Sequence, residues 1–145
     1  METKNLSEST ICCFGDSTTW GDNGCGAGGN YISWTSHLGA LLGGAVVENF
    51  GIKGSRIAVK ADRSDSFVER LDGIDDAADI YIVFGGVNDF SRNVPLGELG
   101  STDVHEFYGA LDYLIRTITA RSPRAKLVIM TPCKTSGKHE KDIPA

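Results

Sequence analysis

The chain has 145 residues, 41% of them hydrophobic and 23% charged, with 14 basic and 19 acidic residues giving a net charge of −5. That length is one domain with room for a sizeable core. The acidic balance, with no Lys/Arg cluster, argues against a nucleic-acid partner, because phosphate binding needs a basic footprint.

Residues 1–10 are polar and mixed in charge, without the apolar run of a secretory signal. The first apolar run, Ile11–Phe14, carries two adjacent cysteines. On a strand their side chains leave opposite faces, so Cys12 and Cys13 cannot ligate one ion. With Cys25 and Cys133 they form no CxxC pair, and no His stands at ligand spacing. No metal or cofactor is therefore expected. The cysteines are expected to be small buried hydrophobes in a reducing compartment, the cytoplasm by default.

A glycine-rich segment follows. Gly24-Cys25-Gly26-Ala27-Gly28-Gly29 fits the G-x-G-x-x-G dinucleotide pattern. Its first glycine comes well after the strand instead of in the tight turn, so the pyrophosphate geometry fails. Tyr31, Trp34, Thr35, Leu38, Leu41 and Leu42 then fall at helical spacing, with Asn30 as N-cap and Gly43-Gly44 as the stop. The longest apolar stretch, 38–47, is interrupted by glycines and too short to span a bilayer.

Ala45–Val47, Ile80–Phe84 and Leu127–Met130 are further continuous apolar runs. Runs of this length without alternation suit strands buried on both faces of a parallel sheet. Ser66 with Glu69 predicts a capped helix that buries Phe67, Val68 and Leu71. The apolar stripe Val104, Phe107, Tyr108, Leu111, Leu114, Ile115, Ile118 predicts a long helix to about Arg121, with Asp103 and Glu106 as a capping box. Strands and helices alternate, so the fold class is α/β: a three-layer α/β/α sandwich with right-handed crossovers.

In such sheets ligands sit at the carboxyl ends of the strands. Those ends are Gly15-Asp16-Ser17, Asn49-Phe50-Gly51-Ile52-Lys53-Gly54, Gly85-Gly86-Val87-Asn88-Asp89 and Thr131-Pro132. Glycine lets backbone N–H groups approach a ligand closely. Each segment taken singly also has a plainer explanation. Asp16-Ser17 suits an N-cap, Asn88-Asp89 suits a turn, Gly54 suits a positive φ, and Trp20 suits packing beneath the 16–30 loop as well as it suits the lining of an acyl or aryl pocket. Three such segments in series on three strand ends favour one site.

Taken together, Phe14–Gly21, Asn49–Gly54 and Gly86–Asp89 resemble the SGNH (GDSL-type) hydrolases, and the resemblance covers essentially the whole chain. It implies a flavodoxin-like parallel sheet in the order 2-1-3-4. The implied activity is hydrolysis or transfer of acyl groups on a small-molecule ester such as an acetylated sugar, aryl ester or lysophospholipid. It implies Ser17 as nucleophile, and an oxyanion hole from the N–H of Ser17, the N–H of Gly54 and the side-chain amide of Asn88.

A serine hydroxyl needs a base. The family takes its base from an Asp-x-x-His block after a fifth strand, and this sequence has no such block: Trp34, Thr102 and Ser136 precede His37, His105 and His139 by three. The expectation is a single domain over 1–145, truncated before the fifth strand. His37 and His105 are taken as structural or surface, with His105 at the end of the layer opposite the site, and His139 as a tail residue.

A haloacid-dehalogenase-type phosphatase is disfavoured, because Thr18 stands where its second Asp belongs. The alternative to an ester hydrolase is an inactive remnant or binding domain that lacks the base. If the fifth strand is missing, 127–130 becomes an apolar edge with Lys126 as its flanking charge, so a homo-oligomer through the fourth strand is expected.

Overall fold

The computed structural model describes residues 5–132. Four strands form one parallel sheet: β1 (Thr10–Gly15), β2 (Val46–Gly51), β3 (Ile80–Phe84) and β4 (Lys126–Met130). Their order is 2-1-3-4, the flavodoxin-like arrangement. Between them run α1 (Ser17–Trp20), α2 (Thr35–Leu41), α3 (Phe67–Arg70), α4 (Val87–Ser91) and α5 (Phe107–Arg121). β1 is central. Ile11 pairs with Val47 on one side and Ile80 on the other, and Gly15 with Gly51 and Phe84.

The pleat divides β1 between two cores. Cys12 and Phe14 join Tyr81 and Val83 under Phe67, Leu71, Ala110, Leu114 and Ile118, supplied by α3, the 3-10 turn after it and α5. Ile11 and Cys13 join Ala45 on the other face, against Trp34, Leu38 and Leu42. The adjacent cysteines thus do face opposite layers. Burial raises both thiols, Cys13 to about 12, so neither is a thiolate at neutral pH. Leu114 is fully buried, and its truncation to alanine costs about 2–5 kcal/mol in such a site.

Continuous burial holds for β1 but not for every strand. β4 is largely exposed, because it lies at an edge of the sheet among the described residues. The helix starts also depart from expectation. Asn30 opens a single 3-10 turn (Asn30–Ile32), and α2 begins only at Thr35, leaving Tyr31 and Leu41 in solvent. The Ser33 hydroxyl accepts the Thr35 N–H at 3.2 Å and takes over the capping work.

The long helix starts at Phe107 with no side-chain cap. Asp103 instead accepts the His105 N–H at 2.9 Å, and Glu106 accepts the Ser101 hydroxyl at 2.7 Å. A tight Asx turn has won over the capping box. The Ser66–Glu69 box does form, with Ser66 Oγ accepting the Glu69 N–H at 3.2 Å and Glu69 accepting the Ser66 N–H at 3.0 Å. Among the described residues no helix is long and apolar enough to cross a membrane.

Candidate active site

Ser17 follows the carboxyl end of β1 directly. Asp16 caps the single turn of α1, its Oδ1 accepting the Thr18 N–H at 2.9 Å. The capping role expected of the Asp16-Ser17 pair is therefore real, and it leaves the Ser17 side chain partly exposed at the first helical position. α1 lies almost on the strand ends. A Cβ on Gly15 would come within 2.1 Å of Thr19 Oγ1, and one on Gly51 within 2.1 Å of Trp20 N. Glycine at both positions is what lets the turn carrying Ser17 sit there.

Asn49 holds α1 and the following loop from the side of β2. Its Nδ2 donates to Thr19 O at 2.6 Å and Thr35 Oγ1 at 2.8 Å, while its Oδ1 accepts the Gly51 N–H at 2.9 Å. Trp20 packs beneath the glycine loop, with a Cβ on Gly28 falling 2.5 Å from its ring, and Lys53 lies over the ring at 4.9 Å. Lys53 also pairs with Asp22 at 2.9 Å.

Gly54 turns the chain at φ +76 after β2. The loop that contains it is bound to the strand ends by Arg70, which motif reasoning does not reveal. The Arg70 guanidinium donates to Phe50 O at 2.9 Å, Gly15 O at 3.0 Å, Ser55 Oγ at 3.0 Å and Asp65 O at 2.9 Å. Its Cζ lies 4.7 Å from the Phe14 ring centre and 5.2 Å from that of Phe67. Burial lowers its pKa to about 10, still far above neutrality. One half-buried cation thus joins the ends of β1 and β2 to the loop bearing Gly54.

α4 supplies the third contribution. Asn88 Nδ2 donates to Ser55 O at 2.9 Å, across 33 residues of sequence, so its amide is set by a tertiary contact and not by a local turn. An Asn amide has a second N–H, which remains for another acceptor. Next to it Asp89 is fully buried, and its two oxygens accept the N–H groups of Ile57 at 2.8 Å and Ala58 at 2.9 Å. Burial pushes the carboxyls of both Asp16 and Asp89 upward, against the hydrogen bonds that lower them.

Ser17, Gly54 and Asn88 therefore stand on the loops leaving three neighbouring strands at one end of the sheet. Gly54 and Asn88 are joined through Ser55, and the β1 end is joined to Ser55 through Arg70. The site can offer a hydroxyl and several fixed N–H donors in one place. Arg70 carries no residue-type signature in the sequence because most of its partners are backbone carbonyls, whereas Asn49 and Asp89 lie in the strand-end segments and take their bonding roles from tertiary contacts.

The position expected for His105 needs correction. A Cβ on Gly86 would lie 3.1 Å from the Phe107 ring, so the start of α5 adjoins the carboxyl end of β3. A helix that follows a parallel strand must begin there, at the same end as Ser17. His105 is exposed. Its Nδ1 lies 2.8 Å from Asp103 Oδ1, and its carbonyl accepts Lys60 Nζ at 2.7 Å. His37 is exposed on α2, and His139 lies outside the described residues. No group of three or more His, Cys, Asp or Glu placed to hold a metal occurs among the described residues.

The same fold recurs in solved structures. A crystal structure 92% identical to this chain superposes with a TM-score of 0.90, covering 98% of this chain and 65% of its own. A protein from Lactobacillus plantarum, 31% identical, superposes at 0.69 over 84% of this chain and 55% of its own. One from Chitinophaga pinensis, described as a possible lipase, is 26% identical and superposes at 0.68 over 86% and 49%. The chain spans less than two thirds of the length of each of these three. No curated protein matches it. Residues 13–145 match the GDSL-like lipase/acylhydrolase family, a span that takes in all three strand-end segments, and the chain belongs to that family.

Proposed function

We propose that this domain cleaves carboxylic esters with Ser17 as nucleophile, and that the N–H groups of Ser17 and Gly54 and the Asn88 amide bind the oxyanion. Membership of an acylhydrolase family supports ester chemistry in general. The observation that carries the finer assignment is the Asn88–Ser55 hydrogen bond of 2.9 Å. It holds an amide donor beside the Gly54 peptide before any substrate arrives. Donors fixed in advance need no reorganisation as negative charge develops, and one of them is worth roughly 3 kcal/mol in comparable acyl-transfer sites.

Attack of Ser17 Oγ on the acyl carbon transfers the hydroxyl proton to a base and places charge on the former carbonyl oxygen. Collapse expels the alcohol and leaves an acyl-serine, which water hydrolyses. Among the described residues neither His37 nor His105 makes a hydrogen bond to Ser17, so neither is assigned as the base. Turnover of p-nitrophenyl acetate and longer homologues, together with fluorophosphonate labelling, tests the assignment. Ser17→Ala is expected to abolish both with the thermal midpoint nearly unchanged. His37→Ala and His105→Ala are expected to leave turnover intact. Full activity in Ser17→Ala overturns the serine mechanism.

A further inference from the structure

Arg63 holds the rear of the peptide whose front is the Gly54 N–H. Its Nη2 donates to the carbonyl oxygen of Lys53 at 2.9 Å. Lys53 C=O and Gly54 N–H belong to one peptide unit, and there are no cis peptide bonds among the described residues. In a trans unit the two groups point in opposite directions in one plane. A hydrogen bond on the carbonyl therefore fixes the direction of the N–H. It also draws electron density through the amide and makes that N–H a stronger donor.

The arginine is itself held on several sides. Its Nε donates to Asp65 Oδ1 at 2.8 Å, and Nη2 also bonds Asp65 Oδ2. Its backbone is set by a bridge to Lys60, with Arg63 N–H donating to Lys60 O at 3.3 Å. Asp65 is fastened to the same loop, because the Ser55 hydroxyl donates to Asp65 O at 2.6 Å. Segment 63–65 thus clasps residues 53–55 by two independent bonds.

The remaining guanidinium nitrogen covers Gly54 itself. A Cβ at Gly54 would stand 2.6 Å from Arg63 Nη1. Any side chain there would push the guanidinium off, so the positive φ and the clasp both demand glycine.

We infer that Arg63 is a positioning residue of the oxyanion hole, orienting and polarising the Lys53–Gly54 peptide without touching substrate. The inference rests on the reading of the Gly54 N–H as an oxyanion donor. Such a residue acts on the transition state more than on the bound ester, so its removal lowers kcat and leaves KM alone.

Kinetics of Arg63→Met and Arg63→Lys on p-nitrophenyl acetate, with Arg116→Met on the outer face of α5 as the comparison, test this. The expected result is a fall in kcat of about tenfold or more in both Arg63 variants, with KM little changed and Arg116→Met like the wild type. Arg63 is exposed to solvent, so methylguanidinium added to Arg63→Ala can reach the vacated position, and it is expected to restore part of the rate.

A second measurement does not need turnover. The amide resonance of Gly54, followed by ¹⁵N NMR, is expected to move more in Arg63→Met than any amide outside 62–66. Unchanged kcat, or an unmoved Gly54 resonance, overturns the inference. Loss of KM in step with kcat, with no rescue, also overturns it by reducing Arg63 to a structural prop. A wild-type chain that turns over no ester, as a serine without its base would, leaves the Gly54 resonance to decide alone whether Arg63 holds the peptide, while fluorophosphonate labelling of Ser17 tests the ester reading separately.

Discussion

Asp89 and Ile57 are joined by a buried hydrogen bond of 2.8 Å, and Asp89 bonds Ala58 as well, so the start of α4 is clamped to the segment that follows Gly54. Asn88 therefore cannot drift relative to that loop, and its amide is rigid to the extent that Asp89 is ionised and bonded. The relationship sets what substitutions here should do.

Asn88→Ala removes one candidate oxyanion donor and frees the Ser55 carbonyl. The expected outcome is a fall of about two to three orders of magnitude in kcat with KM little altered. Steady-state kinetics on a short acyl ester reads this directly, and an unchanged kcat would exclude the amide from the reaction.

Arg70 should matter first for stability. Its acceptors are backbone carbonyls and a hydroxyl in a part-buried position, and a lysine ammonium cannot reach all of them at once. Arg70→Lys is expected to lose roughly 3 kcal/mol, the scale of charge-assisted bonds left unmade. Urea unfolding measures it, and a loss too small to resolve would show that the four bonds do not hold the strand ends.

Asp16 gives a pH signature. Burial raises its pKa above the usual 3.8, more than the Thr18 bond and Arg70 lower it. The folded state thus binds the proton more tightly than the unfolded chain, so stability is gained as pH falls through the folded-state value, and the ionised group is a fixed cost above it. Asp16→Asn keeps the acceptor for the Thr18 N–H and carries no charge. Its melting temperature is expected to exceed that of the wild type at neutral pH, with the gap closing on acidification. Melts across that range check the sign, and a gap that widens in acid would contradict it.

β4 carries the expectation about association. Val128, Ile129 and Met130 are 43%, 39% and 37% exposed on the outermost strand of the described sheet. An apolar edge of this kind is a template for pairing with another chain, and we propose a second copy as the partner. Light scattering is expected to show a dimer or larger species that Val128→Lys converts to monomer, and a monomer at high concentration in the unaltered chain counts against it.

The sheet was legible because buried parallel strands leave uninterrupted apolar runs, and Ile80–Phe84 matches β3 residue for residue. The Ser66–Glu69 box was legible because both of its bonds are local. Asp103–Glu106 failed for a comparable reason, since another local bond, to the His105 N–H, competes for the same carboxylate. Glycine-bearing strand ends marked where a site would stand, and the choice of Ser17, Gly54 and Asn88 within them came from the resemblance to the SGNH motifs. Arg63 and Arg70 could not be singled out, because the bonds that tie them to the strand-end loops, to Lys53 O and to Phe50 O and Gly15 O, end on backbone carbonyls that any sequence would supply. His105 was misplaced by a slip of topology rather than of chemistry.

The central position of β1 has a consequence for the order in which the molecule assembles. Ile11 needs Ile80 as a neighbour, and Asp89 must reach Ile57 before the Gly54 loop is fixed. These pairings close long stretches of chain, and nonlocal closure is slow compared with the formation of α5. Ser17 is therefore made early but enclosed late. A nascent chain that has emerged only as far as β2 carries the serine without the Gly54 and Asn88 donors proposed to bind the oxyanion.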